Sequence, residues 1–78
     1  MIVTVTPEDI TRGRRLSACS CPIALAIRRL APRCVGVTNH TIRIDDRRFA
    51  TPEPACKFIN DFDAARPVMP FTFTLPTE

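Results

Sequence analysis

Val35-Gly36-Val37-Thr38-Asn39-His40-Thr41-Ile42-Arg43-Ile44-Asp45-Asp46-Arg47-Arg48-Phe49-Ala50 holds short runs of alternating apolar and polar residues, broken at Thr38-Asn39-His40 and again at Asp45-Asp46. Alternation with period two places successive side chains on opposite faces of an extended chain, whereas a helix would scatter them. Asn and Asp favour reversals because their side chains hydrogen-bond nearby backbone groups. The segment therefore predicts a three-stranded meander of Val35–Val37, Thr41–Ile44 and Arg47–Ala50, with Asn39 in the first turn.

Helical patterns flank the meander on both sides. Upstream, Cys21-Pro22 opens a helix with Cys21 or Ser20 near the cap and Pro at the first turn. Ile23, Ala24, Ile27 and Leu30 recur at i, i+1, i+4 and i+7, with Arg28 and Arg29 toward the opposite side or its flank. Ala31-Pro32-Arg33 ends this helix, since the residue before Pro avoids the helical region. Downstream, Thr51-Pro52-Glu53-Pro54 supplies a second cap, followed by an apolar face of Ala55, Phe58, Ile59 and Phe62 that closes near Ala65.

Farther out, Ile2 to Thr6 reads as a strand. Thr6-Pro7-Glu8-Asp9 then gives a cap residue, a first-position Pro and two acids where the helix dipole favours negative charge. In the short helix that follows, Glu8 pairs with Arg12, Gly13 is expected as a left-handed stop, and Leu16 is expected to help Ile10 cover the apolar side. Phe71-Thr72-Phe73-Thr74-Leu75 alternates to the end, with Phe71, Phe73 and Leu75 on the core face and Pro76 stopping the strand. The order β-α-α-β-β-β-α-β predicts an α+β fold, a small two-layer sandwich with helices on one face of a mixed or mostly antiparallel sheet. Val5, Leu25 or Ile27, Phe58, Phe62 and Phe73 are expected to meet in its core.

Seventy-eight residues leave room for one domain spanning 1–78 and for no deep multi-part active site. An apolar content of 45% with a net charge of only +3 excludes an intrinsically disordered chain. The longest uncharged run in the N-terminal half, Leu16 to Ile27, is twelve residues broken by Pro22. A bilayer span needs about 20, so no membrane helix is expected. The alternating N-terminus lacks the basic start and apolar run of a secretory signal, which gives a cytoplasmic expectation.

Candidate chemistry is sparse. Cys19, Cys21, Cys34 and Cys56 with His40 are enough soft ligands for one zinc ion, but C-x-C followed by two scattered cysteines lacks the paired turns of structural sites. Reduced cysteines acting as small apolar residues are the expectation, with no metal and no cofactor. Cys21 is the one thiol with an argument for activation, at a helix N-terminus near arginines, yet nothing supplies an orienting acid for His40 or an oxyanion site. Asp45 with Asp46, and Asp61 with Asp63, do not converge on one atom at those spacings. Two glycines cannot make a phosphate loop. No enzymatic activity and no catalytic residue are expected.

Charge carries more information. Ten of the eleven basic residues are Arg, and seven of them fall between Arg12 and Arg43 without an intervening acid. Arg12, Arg14, Arg15, Arg28, Arg29 and Arg33 lie on the first two helices and their connector, where they would form one positive binding patch. Nucleic acid is one partner such a patch would take. The absence of Tyr and Trp, and the placement of all five Phe at or after Phe49, leave little for base stacking. A partner protein bearing acidic side chains suits the patch as well, and the sequence leaves the oligomeric state open.

Cys21-Pro22-Ile23-Ala24-Leu25-Ala26-Ile27, Phe58-Ile59-Asn60-Asp61-Phe62-Asp63 and Arg66-Pro67-Val68-Met69-Pro70-Phe71-Thr72-Phe73 resemble a CP-x-ALA helix and a FI-x-x-FD … PF-x-F ending. On these motifs the chain resembles small uncharacterised proteins of actinobacteria and their bacteriophages across nearly its whole length. It departs from that group at Ala18, where the group often has the first Cys of a C-x-x-C, a departure that weakens any metal reading. The resemblance implies a small accessory protein of bacteriophage origin that acts by binding. The expected function is a non-enzymatic binding module whose target is a host protein in the host cytoplasm, met by the arginine-bearing helices or by a sheet edge, with nucleic-acid binding through the same arginines as the alternative.

Overall fold

The expected meander forms, and its register fixes which side chains share a face. In the computed structural model, which describes residues 1–31 and 34–76, the elements are β1 (Ile2–Val5), α1 (Pro7–Arg12), α2 (Pro22–Leu30), β2 (Val35–Val37), β3 (Thr41–Ile44), β4 (Arg47–Ala50), α3 (Glu53–Asp63) and β5 (Phe71–Thr74). The fold is α+β in the predicted element order. Antiparallel pairing aligns Val35 with Ile44 and Arg47, Val37 with Ile42 and Phe49, and Gly36 with Arg43 and Arg48. Val35, Val37, Ile42 and Ile44 are buried, so the row Gly36, Arg43, Arg48 belongs to the opposite, outer face.

The five strands divide into two antiparallel sheets instead of joining in one, with β1 and β5 as a separate ribbon. The edges explain the division. On β2, the Val37 N–H bonds the Ala18 carbonyl of the α1–α2 connector at 2.8 Å, so a loop takes the place of a further strand. On the ribbon, Met1 and Leu75 exchange both backbone bonds at 2.8 Å. Antiparallel alternation then turns the Thr4 carbonyl away from β5, where the Arg29 guanidinium donates to it at 2.9 Å. A charged side chain across an edge carbonyl blocks further pairing.

Val3, Val5, Ile23, Ile27, Ile42 and Leu75 are fully buried and tie both sheets to α2. Of the expected core, Val5, Ile27, Phe58 and Phe73 are buried, Ile27 takes the place left open between it and Leu25, and Phe62 is partly buried. Phe62, Phe58, Phe71 and Phe73 stack in sequence at centroid distances of 6.0, 4.9 and 5.5 Å. Two expected core residues face solvent instead: Leu16 is 82% exposed and Leu30 54%. Leu16 sits in a left-handed turn (φ 56°) whose N–H is held by Asp63 at 2.9 Å, which directs its side chain away from α1.

Helix ends follow local chemistry until tertiary packing intervenes. Thr6 and Asp9 form a reciprocal capping box on α1, and the Cys21 thiol accepts the Ala24 N–H on α2. Gly13 is extended (φ −66°, ψ 150°), not left-handed; its role is space, because a Cβ there would lie 2.5 Å from Pro22 Cγ and Cδ. Thr51 does not cap α3, whose N-cap is Pro52 with no side-chain bond. Its hydroxyl donates instead to the Thr38 carbonyl at 2.9 Å, pinning the meander's first turn. Ala65 takes the left-handed position after α3 (φ 61°), with Arg66 N–H on Asp61 and Ala65 N–H on Phe62 closing a Schellman motif. No helix among the described residues is long and apolar enough to cross a membrane.

Candidate functional site

The capping box that starts α1 also disposes of one expected site arginine. Asp9 is only 5% exposed, and Arg29 from α2 donates to it at 2.7 Å while its other terminal nitrogen holds Thr4. Burial pushes the Asp9 carboxyl upward in pKa, but hydrogen bonds from the Arg29 guanidinium and from the backbone and hydroxyl of Thr6 outweigh it and hold the group below the usual carboxylate range. The same contact raises Arg29 further above its ordinary value. Arg29 is thereby committed to joining α1, α2 and β1.

The other five members of the predicted patch part company. Arg12 faces Glu8 across one helical turn at 3.6 Å, fully in solvent. Arg28 is partly buried, and its Nε and one terminal nitrogen are enclosed with no hydrogen-bond acceptor. Arg14 and Arg15 are exposed on the connector. Arg33 lies outside the described residues. Of the six, the structure leaves Arg14 and Arg15 as solvent-facing cations without an ion pair among the described residues.

A different pair of arginines is brought together on the outer face of the meander. Arg43 and Arg48 stand directly opposite each other on β3 and β4. The Arg43 guanidinium bonds the Asp45 carbonyl at 3.1 Å and the Cys34 sulfur at 3.9 Å. It also lies over Gly36, where a Cβ would be 3.6 Å from its Nη2 and 3.7 Å from its Nε. Around them an open cleft of about 350 Å³ is lined by Ala18, Cys19, Thr38 and Thr41, with no carboxylate among the described residues that line it. Arg43 and Arg48 lie outside the patch expected from the sequence, although the two-residue turn at Asp45-Asp46 is a signal for them: it aligns Ile44 with Arg47 and hence Arg43 with Arg48.

A second surface feature is apolar. Between α3 and the segment leading into β5, Pro54, Phe58, Pro67, Val68, Met69 and Phe71 line an open groove of about 340 Å³. Met69 is 79% exposed at its rim. Lys57 and Asp61 also border it, and Asp61 bonds Arg66 at 3.0 Å and faces Lys57 at 3.6 Å. The Arg66 hydrogen bond, with help from Lys57, lowers the Asp61 pKa despite partial burial.

The cysteines stay apart in role. Cys21 is buried at the start of α2, and burial raises its thiol pKa against the lowering effect of the Ala24 and Ile23 N–H groups, the reverse of an activated nucleophile. Cys19 and Cys34 are exposed, Cys56 is partly buried, and His40 is exposed at the hairpin turn. Among the described residues no three His, Cys, Asp or Glu side chains come together in a way that could hold a metal ion. Asp45 accepts the Cys34 N–H, Asp61 faces Arg66 and Asp63 holds the Leu16 N–H, so Asp61 and Asp63 serve separate parts of the fold. Comparison of the chain with protein-family models, with curated proteins and with solved structures finds no match.

Proposed function

We propose that the chain is a non-enzymatic binding module that docks a partner protein in the groove between α3 and the Pro67–Phe71 segment. The observation that carries this reading is the exposed apolar surface of Met69 and Pro67 beside the partly buried Val68 and Phe71, on a backbone bounded by Pro67 and Pro70. Methionine adapts to irregular partner surfaces and is enriched at interfaces, while flanking prolines lower the conformational entropy lost on docking. The Lys57–Asp61–Arg66 ion network at the rim offers polar complementarity around that centre. In this reading the chain is an accessory protein of bacteriophage origin whose partner is a host protein in the host cytoplasm.

The test is affinity capture from host lysate with the wild-type chain and with Met69→Asp, after circular dichroism has established that the exposed substitution leaves the fold intact. One host protein retained by the wild type and lost by Met69→Asp is expected. Equal retention by both, or retention abolished by nuclease, would remove the groove as the docking site, the latter in favour of nucleic acid bound through the arginines of the first half.

A further inference from the structure

Two like charges placed face to face on adjacent strands repel each other, and an anion bound between them would relieve that repulsion. Cross-strand neighbours in direct opposition have Cβ atoms about 4.5 to 5.5 Å apart. Arg43 and Arg48 are therefore close enough for their guanidinium groups to reach a single anion. Neither makes an ion pair among the described residues.

The two arginines are prepared differently. Arg43 is partly buried and anchored from behind by the Asp45 carbonyl and the Cys34 sulfur, and its Nε makes no hydrogen bond among the described residues. Arg48 is exposed and free to close over a ligand. Gly36 leaves the floor of the cleft without a side chain, and Thr41 adds a hydroxyl at its wall. A preset guanidinium fork beside a solvent-exposed one suits an oxyanion with several oxygens. Charge selects among such oxyanions: a carboxylate or a phosphodiester balances one arginine, whereas the dianion of a phosphate monoester balances both.

We propose that the cleft of Gly36, Thr41, Arg43 and Arg48 binds the phosphoryl group of a small phosphate monoester. This site is independent of the apolar groove, which lies against α3 and β5. The experiment is an NMR titration of the ¹⁵N-labelled full chain at pH 7.5 with phenyl phosphate, and at matched ionic strength with dimethyl phosphate, acetate and sodium chloride. Saturable shifts at the Gly36 and Thr41 amides and at the Arg43 and Arg48 Nε–H groups are expected with phenyl phosphate. Affinity should fall at least tenfold for dimethyl phosphate and in both Arg43→Gln and Arg48→Gln. Shifts that chloride reproduces, or an affinity unchanged in Arg48→Gln, whose exposed side chain holds nothing in place, would overturn the proposal. Binding of a duplex oligonucleotide through the same arginines without a response to phenyl phosphate would overturn it too, assigning the cleft to nucleic acid.

Discussion

Asp9 with Arg29 and Arg43 with Arg48 are two charged pairs that the fold treats in opposite ways. The first joins opposite charges across twenty residues of sequence, with the carboxylate buried and bonded by both Arg29 and Thr6. The second sets like charges side by side in an open cleft with no acid among the described residues that line it. The contrast teaches that an arginine-rich sequence does not locate a binding face. An arginine whose donors are spent on a buried carboxylate and an edge carbonyl, as in Arg29, belongs to the architecture, and arginines that keep spare donors in an open cleft are the ones a ligand can use.

Removing Asp9 gives the largest effect expected on either side of this contrast. Asp9→Ala deletes the Arg29 partner and half of the α1 capping box, and should cost about 2 to 4 kcal/mol in urea unfolding. The half-exposed Arg29 can regain water, which keeps the loss below that of a fully buried pair. The pH dependence has a definite sign. Because the folded-state pKa of Asp9 is lowered, its stabilisation is complete above the unfolded carboxyl value of about 4 and is lost as pH falls through the folded value. Asp9→Asn should flatten that acid limb, and a wild-type and Asn variant with parallel stability curves from pH 6 to pH 2 would break the assignment of Asp9 as the charge that holds α1 to α2.

Arg28 sharpens the contrast from inside a single helix, one residue from Arg29. Its enclosed Nε and terminal nitrogen lack acceptors, and unsatisfied buried donors cost free energy without returning any. Arg28→Met keeps the apolar stem and removes those donors, so it should leave stability unchanged or raise it by up to about 1 kcal/mol. A loss above about 1 kcal/mol would show that Arg28 is satisfied in solution and belongs with Arg29 in the architecture.

Most of the fold was legible because its signals are local. The period-two runs at Val35–Ile44 and Phe71–Leu75 gave strands, and Thr6-Pro7 and Cys21-Pro22 gave helix starts, since alternation and capping involve residues within four positions of one another. Gly13 and Thr51 depart from their local patterns for the opposite reason. Each meets a distant residue, Pro22 against Gly13 and the Thr38 carbonyl for Thr51, and that contact overrides the local pattern. The division into two sheets was hidden likewise in the Ala18 carbonyl on β2 and Arg29 on β1. The candidate sites were less legible still. Arg28 and Arg29 are neighbours with identical side chains, and only the position of Asp9 in space separates them. The Arg43–Arg48 alignment was accessible from the Asp45-Asp46 turn, but a cleft with no acid among the described residues that line it is a property of the assembled face.

Two double-mutant cycles, measured by urea unfolding under one buffer condition, test the division of the arginines most directly. The Asp9→Asn/Arg29→Gln cycle should return a favourable coupling of about 1.5 to 3 kcal/mol, the range of hydrogen bonds to charged groups. The Arg43→Gln/Arg48→Gln cycle should return a coupling of opposite sign and about 0.2 to 1 kcal/mol, as cross-strand like charges require. A favourable Arg43–Arg48 coupling, or an Asp9–Arg29 coupling near zero, would contradict the account.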